Sequence, residues 1–330
     1  MEGAASFQLV ENTPPTYSPL MHVFNSLMPV FLLIALGKLL RQKRFSSDLF
    51  SDLNHITYWI ALPALLFVKI SQASFGGDGA VRISGIVLTA TFIGIAISYF
   101  AAHLLRLPSQ AKGAFVQGCG RANNAFIGLP VILYALAEAH PEIEAVATLS
   151  LAPAIIFYNI FSVVVLVSHS GQRLGGRETA RLFAKQLSTN PLIIACVLGL
   201  IVQLSGFHLP VVASRTLSAL GKIALPLALL SVGASINFAQ LRGTAKTSVI
   251  AASIKVFIFP LVGYFVALVW PGVTPPERVA ALIFLACPTA VASYVLADIF
   301  GSDKELAGRI IVISTLLSAV SLSLVIALGG

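Results

Sequence analysis

The feature that most constrains the fold is a series of apolar runs, each long enough to cross a bilayer. A helix needs about 20 mostly apolar residues to span the hydrocarbon core. Four runs reach that length without a charged residue, at 83–102, 145–168, 187–207 and 310–330. Only 10% of the residues are charged, whereas soluble domains carry about 25%. The sequence therefore predicts an all-α integral membrane protein in a lipid bilayer.

Ten transmembrane helices are expected once single charges or an internal proline are allowed within a run. They cover residues 21–40, 47–72, 81–105, 111–137, 143–168, 188–206, 210–239, 246–270, 277–299 and 304–328. The residues before the first run, 1–20, are polar and contain no lysine or arginine. We expect them to form a flexible tail.

The lysines and arginines between the runs predict the orientation, because cytoplasmic loops carry an excess of both. Odd-numbered loops hold thirteen of them, and even-numbered loops hold only Arg82, Arg215 and Arg278. The odd loops are therefore expected in the cytoplasm, with both termini and the tail extracytoplasmic. The net charge of +8 lies in these short loops, so it does not indicate a nucleic-acid partner.

An internal repeat divides the chain into two five-helix halves, 21–168 and 188–330. The tetrapeptide Ile-Ala-Leu-Pro occurs at 60–63 in the second expected span and at 223–226 in the seventh. A basic linker at 169–187, expected in the cytoplasm, joins the halves. Since five is odd, the halves would cross the membrane in opposite directions, as in many secondary transporters with inverted repeats.

The fourth and ninth spans carry helix breakers near their middle. The fourth contains "GRANNAFIGLP" (120–130) and the ninth contains "ACPTAVAS" (286–293). We expect these breaks to cross, with extended pairs at Ala122-Asn123 and Pro288-Thr289. Helices that begin there would direct their positive ends and free N–H groups at an anion.

Several side chains near the breaks are candidates for binding that anion. They are Arg121, Asn123, Asn124, Thr289 and, from the eighth span, Lys255. Alternatively, the asparagines hydrogen-bond to neighbouring helices, and the two cations have structural roles. His55 is a candidate for proton coupling because histidine titrates near neutrality, although a packing role is the alternative.

The sequence contains no motif for catalysis, for a metal or for another cofactor. It lacks H-E-x-x-H, G-x-S-x-G and the P-loop. Cys119, Cys196 and Cys287 lie in apolar runs without the spacing of a metal site. We therefore expect neither an enzyme nor a cofactor.

Three motifs resemble the auxin efflux carrier family, which includes bacterial organic-acid permeases and the plant auxin exporters. They are "LNHITYWIALPALLF" (53–67), "GRANNAFIGLPVI" (120–132) and "CPTAVASYVLADIFGSDKELA" (287–307), and the resemblance extends over 22–328. It implies ten helices with helices four and nine broken and crossed, an architecture also found in bile-acid symporters and sodium–proton antiporters.

The resemblance also implies which residues bind substrate and which partners to expect. The crossover asparagine of the family falls on Asn123, and an aromatic-tyrosine pair falls on Phe157-Tyr158. Members move organic anions, often as homodimers. Ala122 stands where the plant members have proline, which favours transport of a small bacterial carboxylate over transport of auxin. The expected location is a bacterial inner membrane.

The expected function is secondary active transport of small organic anions, by alternating access around the crossing. A sodium-coupled organic-anion symporter of the bile-acid type is the first alternative. A receptor or intramembrane enzyme that moves nothing is the second. The substrate, the direction, the coupling ion and the oligomeric state remain open at this point.

Overall fold

The structure, a computed structural model, describes most of the chain. The described residues are 19–43, 45–72, 78–169, 181, 184–185, 188–241 and 246–329. The expected tail therefore lies outside the described residues up to residue 18. The expected linker also lies outside them, except for residues 169, 181 and 184–185.

The described residues form fifteen α-helices and no strand, apart from one isolated bridge between Ala122 and Thr289. The helices are α1 (Pro19–Lys43), α2 (Ser47–Ile56), α3 (Leu62–Ser71), α4 (Asp78–Leu104), α5 (Ser109–Gly120), α6 (Leu129–Leu136), α7 (Glu142–His169), α8 (Pro191–Ser205), α9 (Val211–Lys222), α10 (Ala224–Ser235), α11 (Lys246–Ser253), α12 (Phe259–Val269), α13 (Pro275–Ala286), α14 (Ala292–Ile299) and α15 (Lys304–Gly329). A 3₁₀ turn follows α10 at Phe238–Leu241.

Three π-helical turns connect or extend short helices. Thr57–Ala61 joins α2 to α3, and Ile254–Ile258 joins α11 to α12. Asn124–Gly128 leads into α6. Each turn runs into a helix with proline in its first turn. Because proline has no N–H, it cannot donate to a carbonyl group of the preceding turn.

Seven helical stretches are long and apolar enough to cross a membrane. They are Val23–Gln42, Asp48–Ser71, Asp78–Leu104, Glu142–His169, Val211–Ser235, Lys246–Val269 and Lys304–Leu328. The prediction of an all-helical membrane protein is confirmed.

The other three expected spans have a different form. Residues 111–137 and 277–299 are each interrupted, between α5 and α6 and between α13 and α14. Residues 188–206 contain the shorter α8.

Local signals at both ends explain the bounds of α8. The Asn190 side chain accepts hydrogen bonds from the backbone N–H groups of Leu192 (3.0 Å) and Ile193 (3.3 Å), which caps the helix start. Pro191 follows at the first helical position. At the other end Gly206 has φ +67°, a left-handed conformation that terminates helices and that glycine adopts without strain.

The helices pack mainly within two groups. In the first group α1 packs against α10, and α3 packs against α8 and α9. In the second group α4 packs against α5, α7, α12 and α13, and α15 packs against α11 and α13. The groups meet where α1 contacts α6 and α15, and where α3 contacts α7.

A bidentate ion pair fixes two helices of the second group at one end. Arg82 of α4 donates to both carboxylate oxygens of Glu277 in α13, at 2.8 and 2.7 Å. Glu277 also accepts from the backbone N–H of Thr274 (3.1 Å), which completes a capping box at the start of α13. The half-buried pair therefore sets the position of the helix that leads into the second break.

The contact between α1 and α10 depends on two glycines. A Cβ atom on Gly37 would fall on the carbonyl oxygen of Leu230, and one on Gly233 would fall on that of Ile34. Each glycine thus lets one backbone approach the other, the small-residue packing common between membrane helices. The first group is built around this close contact.

Two cations of α1 strengthen the same contact at the end of α10. Lys38 Nζ donates to the carbonyl oxygen of Ile236 at 2.5 Å, and Arg41 donates to that of Ala234. The carbonyl groups at a helix end lack partners within the helix and form its negative pole. The two side chains therefore satisfy and neutralise the end of α10.

We predict that Gly37→Ala or Gly233→Ala lowers the free energy of unfolding by about 1–3 kcal/mol, the usual effect of overpacking. The added methyl group would force α1 and α10 apart. Thermal melting of the detergent-purified protein measures the loss. Leu36→Ala, at a position 44% exposed on the same helix, is the control. Unchanged melting of both glycine variants would contradict the close packing.

Candidate functional site

Two interrupted helices meet in the interior through their backbones. The break after α5 is extended at Arg121 (φ −97°, ψ 100°), and the break after α13 is extended at Cys287 (φ −58°, ψ 147°). The N–H of Asn123 donates to the carbonyl oxygen of Pro288 at 2.9 Å, and the N–H of Ala290 donates to that of Arg121 at 3.0 Å. The structure thus brings together the two pairs singled out from the sequence.

The residue types at the second break explain why α13 stops there. Pro288 has no N–H and disfavours a helical conformation at Cys287, so the chain leaves the helix. Thr289 then fastens the break: its N–H donates to Ser314 Oγ at 3.0 Å, and its Oγ1 donates to the Gly118 carbonyl at 2.7 Å. That carbonyl belongs to the last turn of α5, which has free acceptors.

Glycine is required at the end of α5 because an aromatic ring occupies the adjacent space. A Cβ atom on Gly120 would overlap sterically with Cε1 of Phe161. A similar contact occurs at Gly128, where a Cβ atom would lie 2.7 Å from Cδ1 of Phe284. These two glycines allow the first break to pack closely against α7 and α13.

Lys255 stabilises the end of the helix that precedes the second break. Its side chain is completely buried, and Nζ donates to the carbonyl oxygen of Leu285 at 2.6 Å. The same nitrogen lies 5.1 Å from the centroid of the Phe259 ring. Lys255 thus acts on the negative end of α13 and does not line the cavity described next. His55 is exposed and does not line it either.

A cavity of about 520 Å³ extends from the crossing to one end of the bundle. Its inner part is lined by both breaks and by α7. Its outer part is lined where α1 ends, α2 begins, α8 begins and α10 ends. The outer residues Arg41, Ser51 and Asn54 are exposed, so the cavity reaches the surface at this end. A smaller hollow of about 270 Å³ adjoins it beside Arg121.

Arg121 provides the cavity with a positive charge that no carboxylate of the described residues neutralises. Its guanidinium donates to the carbonyl oxygen of Tyr158 (3.2 Å), to Ser162 Oγ (2.9 Å) and to Asn159 Oδ1 (3.1 Å). All of these acceptors are neutral, and the acidic residues in the described ion pairs have other partners. A guanidinium has five N–H donors, so two remain for a ligand.

The two asparagines place amide groups beside this charge. Asn123 and Asn124 are buried and line the cavity. Neither carboxamide makes a hydrogen bond to a described residue. The Tyr158 hydroxyl interacts with Asn124 electrostatically, but neither atom of the Asn124 carboxamide meets hydrogen-bond geometry with a described residue. Buried amides are normally hydrogen-bonded, so unpaired ones beside a cavity indicate a polar ligand.

Two helix beginnings also face the cavity. Asn124, Ala125 and Phe126 start the helical segment after the first break, and Val291 and Ala292 lie at the start of α14; all five line the cavity. The first N–H groups of a helix have no acceptor within the helix, and they carry its positive pole. Both half-helices therefore add to the field of Arg121.

A family model described as "Membrane transport protein" matches residues 22–326. The chain belongs to this family. It is the auxin efflux carrier family that the three motifs resemble, so that prediction is confirmed. A membrane transporter is thereby indicated rather than an enzyme.

Two relatives of this family member are similar over most of their length. An uncharacterized transporter of Methanothermobacter thermautotrophicus is 27% identical over 311 residues, which cover 91% of this chain and 96% of that protein. A Rhizobium meliloti protein provisionally named a malonate transporter is 26% identical over 306 residues, which cover 90% and 92%.

A solved structure of similar fold is the sodium proton antiporter of Methanocaldococcus jannaschii. The TM-score is 0.56 at 13% sequence identity, with 92% of this chain and 96% of that chain covered. At that identity the likeness concerns the fold alone.

Some residues of this family member line the cavity without having been singled out from the sequence. Asn159 directly follows Tyr158 and is the one asparagine in the apolar run 145–168. This isolated polar residue could have been recognised from the sequence as a candidate for the site. Tyr58 lies within the motif 53–67, on a π-helical turn. No sequence pattern predicts that turn, so the direction of its side chains was not foreseeable.

We predict that Thr289→Val lowers the free energy of unfolding by about 1–3 kcal/mol, the cost of a buried carbonyl left without its donor. Valine keeps the shape but removes the hydrogen bond to Gly118. Thermal melting in detergent reports the change, with Thr289→Ser, which keeps the hydroxyl, as the matched control. Equal melting of the valine and serine variants would show that the hydroxyl does not fasten the break.

Proposed function

We propose that this member of the family is a secondary active transporter of small organic anions, such as carboxylates. The observation that supports this most is Arg121, a cation at the wall of an open cavity that has no carboxylate partner in the described part of the chain. Two unpaired asparagine amides and two helix beginnings surround the same space. An unneutralised charge inside a membrane protein is costly and usually functional, and an anion would satisfy it.

The proposed architecture has ten transmembrane spans in two inverted repeats, 21–168 and 188–330. The broken helices α5–α6 and α13–α14 are then the fourth and ninth spans. The two packing groups serve as a scaffold (α1, α3 and α8–α10) and a transport unit (α4–α7 and α11–α15). Supporting this division, the strongest packing lies within each group, which would let one group move against the other.

The mechanism that we propose is alternating access. The excess of lysine and arginine in the odd loops supports a cytoplasmic location for the open end of the cavity. At the opposite end, Lys69 Nζ lies 2.5 Å from Glu144 Oε2, and their side chains are 34% and 31% exposed. This ion pair joins α3 of the scaffold to α7 of the transport unit. We interpret the structure as open to the cytoplasm and closed outside.

A sodium-coupled symporter of the bile-acid type is the alternative within transport. Flux measured in liposomes, with each gradient imposed in turn, distinguishes transport coupled to sodium, to protons or to the membrane potential. Moving one net charge through 100 mV is worth about 2.3 kcal/mol. If no coupled cation compensates the charge of the anion, its flux must therefore depend on the membrane potential.

We predict that Arg121→Gln reduces carboxylate flux at least about 10-fold, since hydrogen bonds to charged groups contribute roughly 1.5–3 kcal/mol. Purified protein is reconstituted in liposomes and tested with labelled malonate and a panel of mono- and dicarboxylates. Asn123→Ala should also reduce flux severely without preventing insertion.

Arg215→Gln, at an exposed position of α9, is the control for loss of positive charge. It should transport normally. The proposal fails if Arg121→Gln keeps full flux for every transported acid. It also fails if the wild-type protein binds acids without moving them, because that outcome identifies a receptor.

We predict that Lys69→Ala or Glu144→Ala shifts the protein toward the outward-open state by about two- to five-fold, the range expected for a partly exposed ion pair. A cysteine at Ile155, which lines the cavity, would be alkylated faster by an impermeant reagent added outside. The double charge reversal should restore the slow rate.

Lys304→Ala is the matched control for this ion pair. It breaks a contact of 2.8 Å to Asp298 that lies entirely within the transport unit, so it should leave the alkylation rate unchanged. If the Lys69 and Lys304 variants behave alike, the pair at Lys69 does not close the outer side.

A further inference from the structure

Tyr58 occupies a particular position between the two packing groups. It lies on the π-helical turn Thr57–Ala61, which joins α2 to α3. It is half-buried and lines both the main cavity and the adjoining hollow. Arg121 also lines both, so the tyrosine and the arginine lie at the junction of the two spaces, on opposite groups.

The hydroxyl group of Tyr58 has no hydrogen-bond partner among the described residues. Its ring stands edge-on to Trp59 with centroids 5.7 Å apart. The Arg121 guanidinium is an electrostatic neighbour of the phenol. Because Tyr58 lines the cavity, a ligand there would supply its hydroxyl with a hydrogen-bond partner.

The π-helical turn accounts for the direction of this side chain. It inserts a residue into the helical repeat, so Trp59 and Ile60 are exposed on the outer face while Tyr58 lines the cavity. Such turns are rare and are frequent at functional sites. Here the turn directs the Tyr58 side chain to the interior.

The location of the donors around Arg121 leaves a role for that hydroxyl. A carboxylate can accept at about four lone-pair positions. The free N–H groups of the guanidinium and the amides of Asn123 and Asn124 all belong to the transport unit. A donor from the scaffold side would complete the ligand's hydrogen bonding and fix the orientation of its plane.

We propose that Tyr58 is a specificity-determining residue, which donates its hydroxyl hydrogen bond to the carboxylate bound by Arg121. This inference rests on the proposed function. An anion bound in this way contacts scaffold and transport unit together. Sites that hydrogen-bond a substrate group discriminate strongly against ligands that lack it, so the hydroxyl should favour acids over their neutral esters.

The test is Tyr58→Phe in proteoliposomes, with malonate and the best-transported acid of the panel. Phenylalanine keeps the ring and removes only the donor. The expected result is a KM about 10-fold higher, with maximal flux and melting temperature close to wild type. The methyl ester of the same acid, added as a competitor, should inhibit the wild-type protein much less than the acid does. In Tyr58→Phe this difference between ester and acid should become smaller, because only Arg121 then distinguishes them.

Tyr264→Phe, at a tyrosine 43% exposed on α12, is the matched control and should leave KM unchanged. An unchanged KM in Tyr58→Phe, while Arg121→Gln loses flux, overturns the role of Tyr58 and leaves the proposed function intact. Joint loss of melting temperature and maximal flux with constant KM indicates a structural role and also overturns it. Normal flux in Arg121→Gln overturns the proposed function itself.

Discussion

Two backbone hydrogen bonds between the interrupted helices hold the centre of this protein together. They run from Asn123 to Pro288 and from Ala290 to Arg121. Inside a bilayer, free N–H and C=O groups are costly unless protein, water or ligand satisfies them. The pairing satisfies part of each break and leaves the first N–H groups of the following helices open to the cavity.

The side chains around the pairing divide into supporting and ligand-facing roles. Thr289 and Lys255 satisfy carbonyl groups at the ends of α5 and α13 and stay away from the cavity. Arg121, Asn123 and Asn124 line the cavity instead. In the proposed mechanism this separation matters, because a binding site can only move with the transport unit if the breaks themselves stay rigid.

The sequence was informative about the elements whose signals are local. Apolar length predicted an all-helical membrane protein, and glycine, proline and paired asparagines located the breaks in residues 120–130 and 286–293. Helix ends were predictable in part, for example at the Asn190 cap. The inverted repeat and the count of ten spans remain predictions, because neither the family nor the similar fold tests them.

The roles of individual site residues depended on information that spacing does not contain. Lys255 and Arg121 are both deep cations in apolar runs, yet one contacts a carbonyl behind the break and the other faces the cavity. Lys255 lies on a π-helical turn and Arg121 lies on an extended break, so a regular helical repeat does not predict the direction of either side chain. The sequence did not predict the role of Tyr58 either, because this residue also lies on a π-helical turn. Asn159, in contrast, could have been found as a lone polar residue beside Tyr158.

In the proposed mechanism a carboxylate binds in the cavity beside Arg121. Protection of a cysteine at Ile155, one helical turn before the residues that bind the Arg121 guanidinium, tests it most directly. Transported carboxylates should slow alkylation of this cysteine by a thiol reagent added from the open side. The protection should disappear when Arg121 is replaced by glutamine. Equal protection in both proteins, or flux without protection, would contradict the account.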